Sequence, residues 1–469
     1  MTAGQVARPG AQYAGKTVMV LGAARSGTAA AELLLSLGAK VLLCDQKPQE
    51  ALGALPAALD HPGCRLLLGQ SPRPYLPSCD LLVISPGIPL SAPDVAAAGE
   101  AGVPVTGELA FAASCAAQEL IALSGTNGKT TTVSLLGEIF RQAGRVAHVA
   151  GNIGYPLSLA VLNAGPEDLL IAEVSSFQLE TAGSFHPAAA AMLNLTPDHL
   201  DRHGTMDAYA GLKRRLFSNM GPTDLAVLNR DDPRVRAMRD GITARAAWFS
   251  STQPVDEGAL LRDGWICVRY GGEEKQICAA MDLRIPGRHN LENALAAAAL
   301  AAGMQVPSAV IAYALRHFQG VEHRIEFSGT RAGVRYYNDS KGTNPDSTEK
   351  AIQAMSAPTV LILGGYDKHV PFDALARCAA GSGLIRHAVL IGQTAGQIGG
   401  ALREAGFTGV TAAGSLEEAV RLASGLAKPG ENVLFSPACA SFDMFDDYEH
   451  RGRVFKRLVQ DLPDAETHR

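Results

Sequence analysis

The chain has 469 residues, a formal net charge of −5 and a pI near 6.2, with 47% hydrophobic and 19% charged residues. This length exceeds one ordinary hydrophobic core and predicts two to four domains. A mildly acidic chain without a basic stripe excludes a nucleic-acid partner, and no apolar run is long enough to cross a bilayer. We therefore expect a soluble protein that acts on small molecules and not at a membrane.

Eight cysteines are scattered along the chain without a Cys-x-x-Cys pair. This usage is typical of reduced thiols rather than of a disulfide framework or a zinc site. The first sixteen residues lack the apolar segment of a secretion signal. Both features predict a cytoplasmic protein.

The first segment has the pattern of a doubly wound α/β domain: a strand from Lys16, an alanine-rich helix over 28–37 and a strand that ends at Asp45. In the dinucleotide fingerprint the middle glycine admits the pyrophosphate to the backbone, and here Ala24 replaces it. The sequence therefore predicts a Rossmann-like fold without an NAD site, which argues against a dehydrogenase. A further strand over 80–85 leads into a Ser85-Pro-Gly loop, for which a ligand site and a structural turn are equally open.

The central segment opens with a shortened phosphate-binding loop, Gly125-Thr-Asn-Gly-Lys-Thr. The full Walker pattern would have glycine where this chain has Leu123, so the flanking elements must decide. An apolar strand over 120–123 precedes the loop and a helix over 131–142 follows it, as phosphate binding at a helix N-terminus requires. We predict that Lys129 reaches the β and γ phosphates of a nucleotide and that Thr130 binds Mg²⁺.

Polar residues end several of the central strands. Glu173 follows an apolar strand, where a carboxylate is costly unless a cation meets it, and Asp198-His199 follows another. Tyr209 and Lys213 lie four residues apart on one face of a predicted helix over 206–217, where a lysine is by default solvated. A second helix begins near Gly287, and its polar first turn can face a nucleotide or cap the helix.

The third segment contains three unusual loops, over 338–345, 364–369 and 436–448, each preceded by a predicted strand. Loops that follow parallel strands gather at one edge of the sheet. Two of these loops carry lysines, Lys341 and Lys368. Together they predict a site for an anionic substrate.

Six motifs follow one another along the chain. They are Gly125-Thr-Asn-Gly-Lys-Thr, Glu173-Val-Ser-Ser-Phe-Gln-Leu, Asn194-Leu-Thr-Pro-Asp-His-Leu-Asp, Gly287-Arg-His-Asn, His323-Arg and Asn338-Asp-Ser-Lys. In this order they resemble the Mur ligases of peptidoglycan synthesis, and the resemblance covers essentially the whole chain. The Arg25-Ser-Gly turn, the Ser85-Pro-Gly loop and Ser436-Pro-Ala-Cys-Ala-Ser-Phe-Asp are most similar to the family members that add D-glutamate.

The resemblance implies an α/β fold of three domains. These would be a Rossmann-like UDP-sugar domain over 1–107, a central P-loop ATPase-type domain over 108–320 and a C-terminal Rossmann-like amino-acid domain over 321–469. The implied reaction is ATP-dependent ligation of D-glutamate to UDP-N-acetylmuramoyl-L-alanine through an acyl phosphate. We expect a monomer that closes its third domain over the other two.

The resemblance also assigns residues to sites. The catalytic and metal-binding residues would be Lys129, Thr130, Glu173, His199 and Lys213, with Lys213 carrying a carbamate that binds Mg²⁺. ATP would contact Gly125, Thr126, Asn127, Gly128, Lys129, Thr130, Thr131, Asn290, Asn293, Arg324 and Asp339. The UDP-sugar would contact Ser26, Gln46, Lys47, Gly87 and Asn152, where Gln46-Lys47 replaces the usual Thr-Arg pair. D-Glutamate would contact Lys341, Thr343, Lys368, Ser441 and Tyr448, the last of which is commonly Phe.

Three alternatives remain at this point. Another ligase of the superfamily is the nearest, either folylpolyglutamate synthase-like or the ligase that adds the third stem residue. The latter would have Asp-Asn-Pro-Arg after the Gly-Gly-Tyr-Asp-Lys loop, whereas Asp231-Asp-Pro-Arg here lies in the central segment. A nucleotide-dependent regulatory protein would need no amino-acid pocket, so Lys341, Lys368 and Ser441 weigh against it. A dehydrogenase rests on the first segment alone.

Overall fold

The computed structural model describes residues 9–285, 287–367 and 370–463. Within them the chain forms two compact units. The first extends to Asp282 and includes Glu292–Arg316, and the second comprises Leu283–Leu291 and the chain from His317. Three largely parallel sheets with flanking helices confirm the α/β class.

The described strands are β1 (Thr17–Leu21), β2 (Lys40–Asp45), β3 (Cys64–Leu68), β4 (Leu81–Ile84), β5 (Val105–Gly107), β6 (Glu119–Ser124), β7 (Ala147–Gly151), β8 (Leu169–Glu173), β9 (Ala189–Met192), β10 (Leu225–Asn229), β11 (Arg245–Ser250), β12 (Gly258–Arg262), β13 (Trp265–Tyr270), β14 (Glu273–Ala279), β15 (Glu326–Arg331), β16 (Val334–Asn338), β17 (Thr359–Gly364), β18 (Ile385–Ile391), β19 (Val410–Ala412) and β20 (Asn432–Phe435).

The described α-helices are α1 (Arg25–Ser36), α2 (Gln49–Leu52), α3 (Pro93–Glu100), α4 (Glu108–Cys115), α5 (Lys129–Gln142), α6 (Leu157–Asn163), α7 (Ser176–Leu179), α8 (Leu200–His203), α9 (Met206–Arg214), α10 (Pro233–Ala237), α11 (Arg288–Gly303), α12 (Ser308–His317), α13 (Pro345–Gln353), α14 (Asp373–Gly381), α15 (Ala395–Glu404), α16 (Leu416–Leu426) and α17 (Tyr448–Gln460). Short 3₁₀ helices cover Ala11–Tyr13, Ala57–Leu59, Arg73–Ser78, Arg215–Phe217 and Ala280–Asp282.

The first sheet has the order β3-β2-β1-β4-β5, and all its pairs are parallel. This is the predicted doubly wound arrangement, with ligand-binding loops at the carboxyl ends of the strands. Helix α1 begins at Arg25 rather than at the predicted Thr28, because the turn after β1 is already helical. Gly27 is required there, since a Cβ at this position would collide with the Gly22 carbonyl.

The second sheet has the order β14-β13-β12-β11-β10-β9-β6-β8-β7. It is parallel from β7 to β12 and ends in the antiparallel strands β13 and β14. Strands β8, β9 and β10 are buried throughout, as continuous apolar runs covered on both faces should be. The phosphate-binding loop leaves the centre of this sheet, between β6 and α5.

The third sheet lies in the second unit and has the order β15-β16-β20-β17-β18-β19, with only β15 antiparallel to its neighbour. Strands β16, β20 and β17 are adjacent and parallel, and each precedes one of the three unusual loops. The predicted gathering of these loops at one sheet edge is confirmed.

Two expectations from composition also agree with the described residues. All eight cysteines are free thiols. Burial raises the pKa of Cys44 to about 12 and that of Cys115 to about 11, so both thiols are protonated at neutral pH. None of the helices described has the length and apolar character needed to span a membrane.

Candidate active site

The loop between β6 and α5 is the predicted phosphate-binding loop, and its own lysine folds back onto its backbone. Gly125 and Gly128 have φ values of 153° and 85°, which side chains with a Cβ rarely adopt. The Lys129 Nζ donates to the carbonyls of Gly125, at 2.9 Å, and Thr126, at 2.8 Å. The ammonium therefore lies over the loop at the N-terminus of a 14-residue helix, where a phosphate would bind.

The segment after β9 fixes the shape of this loop. The Asn194 side chain accepts from the Asn127 N–H at 2.8 Å and donates to the Asn127 carbonyl at 3.0 Å. The Thr126 hydroxyl donates to the Thr196 carbonyl at 3.1 Å and lies 3.2 Å from the Tyr209 hydroxyl. Sequence reasoning gave Asn194 and Tyr209 no contact with the loop. Two sequence features could have indicated these contacts: the Asn194-Leu-Thr-Pro motif, and the four-residue spacing of Tyr209 and Lys213.

Glu173 lies at the end of β8 beside the phosphate-binding loop, and only 2% of its surface is exposed. One carboxylate oxygen accepts from the Thr130 hydroxyl at 2.7 Å, and the other from the Asn152 amide at 2.9 Å. A buried carboxylate satisfied by neutral donors, next to a hydroxyl, is a set of hard oxygen ligands that suits Mg²⁺. The predicted metal ligands Thr130 and Glu173 are thus in direct contact, and they fit the ion.

Lys213 lies on α9 with 1% of its surface exposed, so the default expectation of a solvated lysine is wrong. Its Nζ donates to the Ser124 hydroxyl at 3.2 Å and to the Gly125 carbonyl at 2.9 Å. Burial and the nearby charge of Lys129 lower its pKa well below the ordinary value for lysine. The fold therefore buries this amine directly beneath the phosphate-binding loop.

His199 occupies a different environment from the other predicted metal ligands. It follows β9 in the left-handed region, with φ 52°, and its ring packs against Phe177 at 4.8 Å between centroids. Its Nε2 lies 3.5 Å from an oxygen of Asp198. Among the described residues its ring therefore faces Phe177 on one side and Asp198 on another.

A cleft of about 910 Å³ lies over the carboxyl ends of the first sheet. All five predicted UDP-sugar residues line it, namely Ser26, Gln46, Lys47, Gly87 and Asn152. Asp45 shapes the floor, because its two oxygens accept from the backbone N–H groups of Ala23 and Lys47. The cleft is therefore built from the sheet edge at which doubly wound folds bind ligands.

The second unit brings its loops together around a buried arginine that sequence reasoning missed. Arg451, on α17, is 0% exposed and donates to the carbonyls of Ser340, Cys439 and Ala440 at 2.8, 3.0 and 3.0 Å. It also donates to the Ser340 hydroxyl at 3.0 Å. Arg451 thereby joins the loop after β16 to the loop after β20. An arginine in a C-terminal helix carries no sequence signal for such a role.

Four of the predicted D-glutamate residues lie on or directly beside these joined loops. Lys341 and Thr343 follow β16, and Ser441 follows β20 and is 2% exposed. The Lys341 Nζ lies 5.3 Å from the ring centroid of Tyr448, so these two predicted residues are neighbours. Lys368 lies outside the described residues.

The predicted ATP-binding residues are divided between the two compact units. Thr131 is buried in α5, and the Asn293 side chain lies against Gly128 in the first unit. Asn290, Arg324 and Asp339 belong to the second unit. Asp339 is 4% exposed, and burial raises its pKa to about 6, while its carboxylate accepts from the Ser436 hydroxyl at 2.6 Å.

Glu322, His323 and Glu326 form a cluster with the spacing of a metal site. However, the Lys456 Nζ lies 3.0 Å from Glu322 and 2.7 Å from Glu326. A lysine already neutralises the carboxylates that a cation would need. We therefore assign this cluster to the structure of the second unit.

The fold and this site define an α/β enzyme with a phosphate-binding loop in the first unit and a separate cluster of loops around Arg451 in the second. Three family models match the chain: a Mur ligase MurD-like N-terminal domain over 16–107, a Mur ligase middle domain over 123–301 and a Mur ligase glutamate ligase domain over 323–439. The chain belongs to the Mur ligase family. It is 47% identical to the UDP-N-acetylmuramoylalanine–D-glutamate ligase of Pelotomaculum thermopropionicum, over 95% of this chain and 98% of that protein. It is 44% identical to the protein of the same name from Thermoanaerobacter sp. strain X514, over 96% and 99%.

Solved structures of the family share the fold. UDP-N-acetylmuramate-alanine ligase from Thermotoga maritima is 19% identical with a TM-score of 0.61, over 95% of this chain and 99% of that one. MurF from Acinetobacter baumannii is 18% identical with a TM-score of 0.61, over 96% and 92%. At this identity the likeness concerns the architecture alone.

Proposed function

We propose that this chain ligates D-glutamate to UDP-N-acetylmuramoyl-L-alanine, with cleavage of ATP to ADP and phosphate. The observation that carries the proposal is the 47% identity along nearly the whole length of a relative that bears this activity in its name. The contact of Thr130 with Glu173 at the phosphate-binding loop supports the ATP-dependent step. The loop cluster around Arg451 supports a site for a second, anionic substrate.

The reaction has two steps. The terminal carboxylate of UDP-N-acetylmuramoyl-L-alanine attacks the γ-phosphorus, and ADP leaves with the electrons of the broken P–O bond. The amine of D-glutamate then attacks the acyl phosphate, and the tetrahedral intermediate expels inorganic phosphate and loses a proton to form the amide. Lys129 stabilises the charge that develops on the transferred phosphoryl group, which is where such catalysis resides.

Mg²⁺ would neutralise phosphate charge when bound, with Thr130 and Glu173 as ligands at one position. His199 and a carbamate on Lys213 are the ligands proposed for a second position. The buried amine of Lys213, whose described acceptors are a hydroxyl and a carbonyl, supports the modification. Addition of CO₂ to the neutral amine forms the N–C bond, releases one proton and leaves a carbamate anion, which could bind a metal ion.

The two other substrates have separate sites. Ser26, Gln46, Lys47, Gly87 and Asn152 contact the UDP-sugar in the cleft of the first sheet. Lys341, Thr343, Lys368, Ser441 and Tyr448 hold the two carboxylates of D-glutamate, so that its amine points in one direction. The lining of the cleft by all five residues supports the first assignment, and the loop cluster supports the second.

The remaining ATP contacts come from Asn290, Asn293, Arg324 and Asp339. We assign three functional domains, over 1–107, 108–320 and 321–469, and a monomer that works in the cytoplasm and closes during the reaction. The separation of predicted ATP residues between two compact units supports closure.

Phosphate release tests this function directly. The protein is incubated with Mg-ATP, UDP-N-acetylmuramoyl-L-alanine and one amino acid at a time, with D-glutamate, L-glutamate and D-aspartate as the series. D-Glutamate should be favoured by about a hundredfold or more, since a misplacement of about 1 Å can cost that much. Equal rates with L-glutamate, or release with a folate and glutamate instead, would assign the chain to another reaction of the superfamily.

A further inference from the structure

The Asp231-Asp-Pro-Arg motif of the central segment has no part in the reaction described above, yet its second aspartate connects to the phosphate-binding loop. Asp232 follows β10 and accepts from the Leu195 N–H at 2.7 Å through Oδ2. Its Oδ1 accepts from the N–H groups of Arg234, at 2.9 Å, and Val235, at 3.1 Å, as the N-cap of α10. One carboxylate oxygen thus binds the segment after β9, and the other binds the start of α10.

Asn229 makes a second connection from the same strand end. It is 4% exposed, and its amide donates to the Leu193 carbonyl at 2.7 Å. Its oxygen accepts from the Asp231 N–H at 2.8 Å, which fixes the amide orientation. Asn229 and Asp232 therefore hold the residues on both sides of Asn194.

Asn194 in turn holds the phosphate-binding loop through three hydrogen bonds. Two join its side chain to the Asn127 backbone at 2.8 and 3.0 Å, and its carbonyl accepts from the Thr126 N–H at 2.9 Å. The Leu193 N–H donates to the Ser124 carbonyl at 2.9 Å, which continues the register of the sheet into the loop. Two sets of hydrogen bonds, joined by the backbone of residues 193–195, thus connect the turn after β10 to the loop after β6.

We propose that Asp232 and Asn229 are positioning residues for the phosphate-binding loop, which act through Leu193–Leu195 to hold the loop N–H groups in place for the nucleotide phosphates. This inference rests on the proposed function, because it takes the loop to be the ATP site. Displacement of a binding group by about 1 Å can cost about a hundredfold in rate. A loop that needs glycine-type φ angles has little rigidity of its own, so its geometry depends on these outside contacts.

The neighbouring Asp231 is a matched control. Its carboxylate accepts from the hydroxyls of Ser250, at 2.6 Å, and Thr252, at 2.7 Å, and from the Ser251 N–H at 2.7 Å. It ties β10 to the end of β11, on the side away from the Leu193–Leu195 segment. Loss of either carboxylate removes partly exposed hydrogen bonds of a similar kind, but only Asp232 bonds to the segment that holds the loop.

The test compares Asp232→Asn with Asp231→Asn in the full-length enzyme. An asparagine has one acceptor oxygen, so Asp232→Asn cannot accept from both Leu195 and the α10 N-terminus. Calorimetry measures the Kd of Mg-ADP, and steady-state assays measure kcat and the KM values for ATP and D-glutamate. We expect Asp232→Asn to weaken ADP binding and lower kcat/KM for ATP by about tenfold or more. The KM for D-glutamate should be unchanged, and Asp231→Asn should lower Tm without changing ADP affinity.

A double-mutant cycle with Asn194→Ala tests the path. If Asp232 acts through the segment that Asn194 anchors, Asp232→Asn should have little further effect on ADP affinity in the Asn194→Ala background. Any of three outcomes would overturn the inference. Asp232→Asn could bind ADP as tightly as wild type, the two aspartate variants could have equal effects on ADP affinity, or the effects in the cycle could be additive. Should Asp232→Asn fail to fold, Asn229→Ala is judged by the same criteria. A wild-type enzyme that binds no ADP would instead refute the nucleotide site itself.

Discussion

Lys213 shows how far a residue's surroundings can change its chemistry. Its position on an amphipathic helix, four residues from Tyr209, is equally compatible with a solvated and with a buried amine. The fold places it beneath the phosphate-binding loop, where it is 1% exposed and its described acceptors are uncharged. Burial and the charge of Lys129 lower the pKa of this amine, and the carboxylates of Asp198 and Glu173 only partly oppose them, so the site favours the uncharged amine.

The first prediction concerns that modification. Lys213→Ala should be nearly inactive, because the anion proposed to bind Mg²⁺ is lost. Small carboxylic acids in the buffer should restore part of the activity by occupying the vacated position, as measured by phosphate release. Lys40→Ala, at the exposed start of β2, is the control and should be fully active without rescue. Full activity of Lys213→Ala, or inactivity that no carboxylate relieves, would contradict the carbamate.

A second residue-scale prediction concerns pH. Burial, together with the charges of Arg324 and Lys350, lowers the pKa of His289 from 6.5 to about 4. Between these pH values the unfolded chain binds a proton at His289 and the folded chain does not, so acid favours unfolding there. His289→Gln removes this effect, and the Tm difference between wild type and variant should shift against wild type as pH falls from 6.5 to about 4. The exposed His61→Gln serves as the control, and a Tm difference independent of pH would show that His289 titrates normally.

At the scale of elements, helix α17 organises the loop cluster of the second unit. Asp447 caps the helix by accepting from the His450 N–H at 2.6 Å, and this places Arg451 in the first turn. From there one guanidinium reaches carbonyls of two loops that follow neighbouring parallel strands. Burial lowers its pKa to about 10, which still leaves it charged at neutral pH. The helix that directly follows one of the proposed glutamate-binding loops thus ties that loop to the other, in which Ser340 lies 111 residues before Arg451.

The third prediction tests this role. Arg451→Lys keeps the charge but loses the planar fork that reaches four acceptors, so the loops should lose their fixed separation. We expect the KM for D-glutamate to rise by about tenfold or more, because four of its proposed contacts lie on or beside these two loops. The KM for ATP should rise less, since Asp339 is the one proposed ATP contact on them. Arg453→Lys, two residues further along the same helix and exposed, is the control. Parallel changes in both KM values would indicate general destabilisation of the unit instead.

At the scale of the whole molecule, the predicted ATP-binding residues are divided between two compact units of the chain. Asn293 and the phosphate-binding loop belong to one unit, and Asn290, Arg324 and Asp339 to the other. Transfer of a phosphoryl group to a carboxylate, rather than to water, requires a site from which water is excluded. The proposed reaction therefore requires water to be excluded from the phosphoryl group when all substrates are bound.

The fourth prediction follows from this requirement. The radius of gyration, measured by small-angle X-ray scattering, should decrease when a non-hydrolysable ATP analogue and UDP-N-acetylmuramoyl-L-alanine are added together. The UDP-sugar alone should have a smaller effect, since its proposed site lies within one unit. An unchanged radius of gyration with both ligands would contradict closure.

The sequence by itself determined the fold class and the positions of the principal elements. Apolar runs such as β8, interrupted by glycine and polar loops, have the period of buried parallel strands, and the helices between them require a doubly wound arrangement. The phosphate-binding loop was equally readable, because it needs a particular residue order between one strand and one helix. The order of motifs along the chain likewise indicated membership of the Mur ligase family, which the near-full-length relatives confirm.

Only the tertiary structure decided how these local signals meet. The burial of Lys213, the contact of Asn152 with Glu173 and the reach of Arg451 all join residues from elements that are distant in sequence. Such contacts depend on strand order and on the depth at which each helix packs, and neither quantity is encoded in a local pattern. For the same reason the sequence did not indicate the second role of Asp232. A carboxylate after a strand is typical of a helix cap, and only the pairing of β9 with β10 places the Leu195 N–H 2.7 Å from its Oδ2.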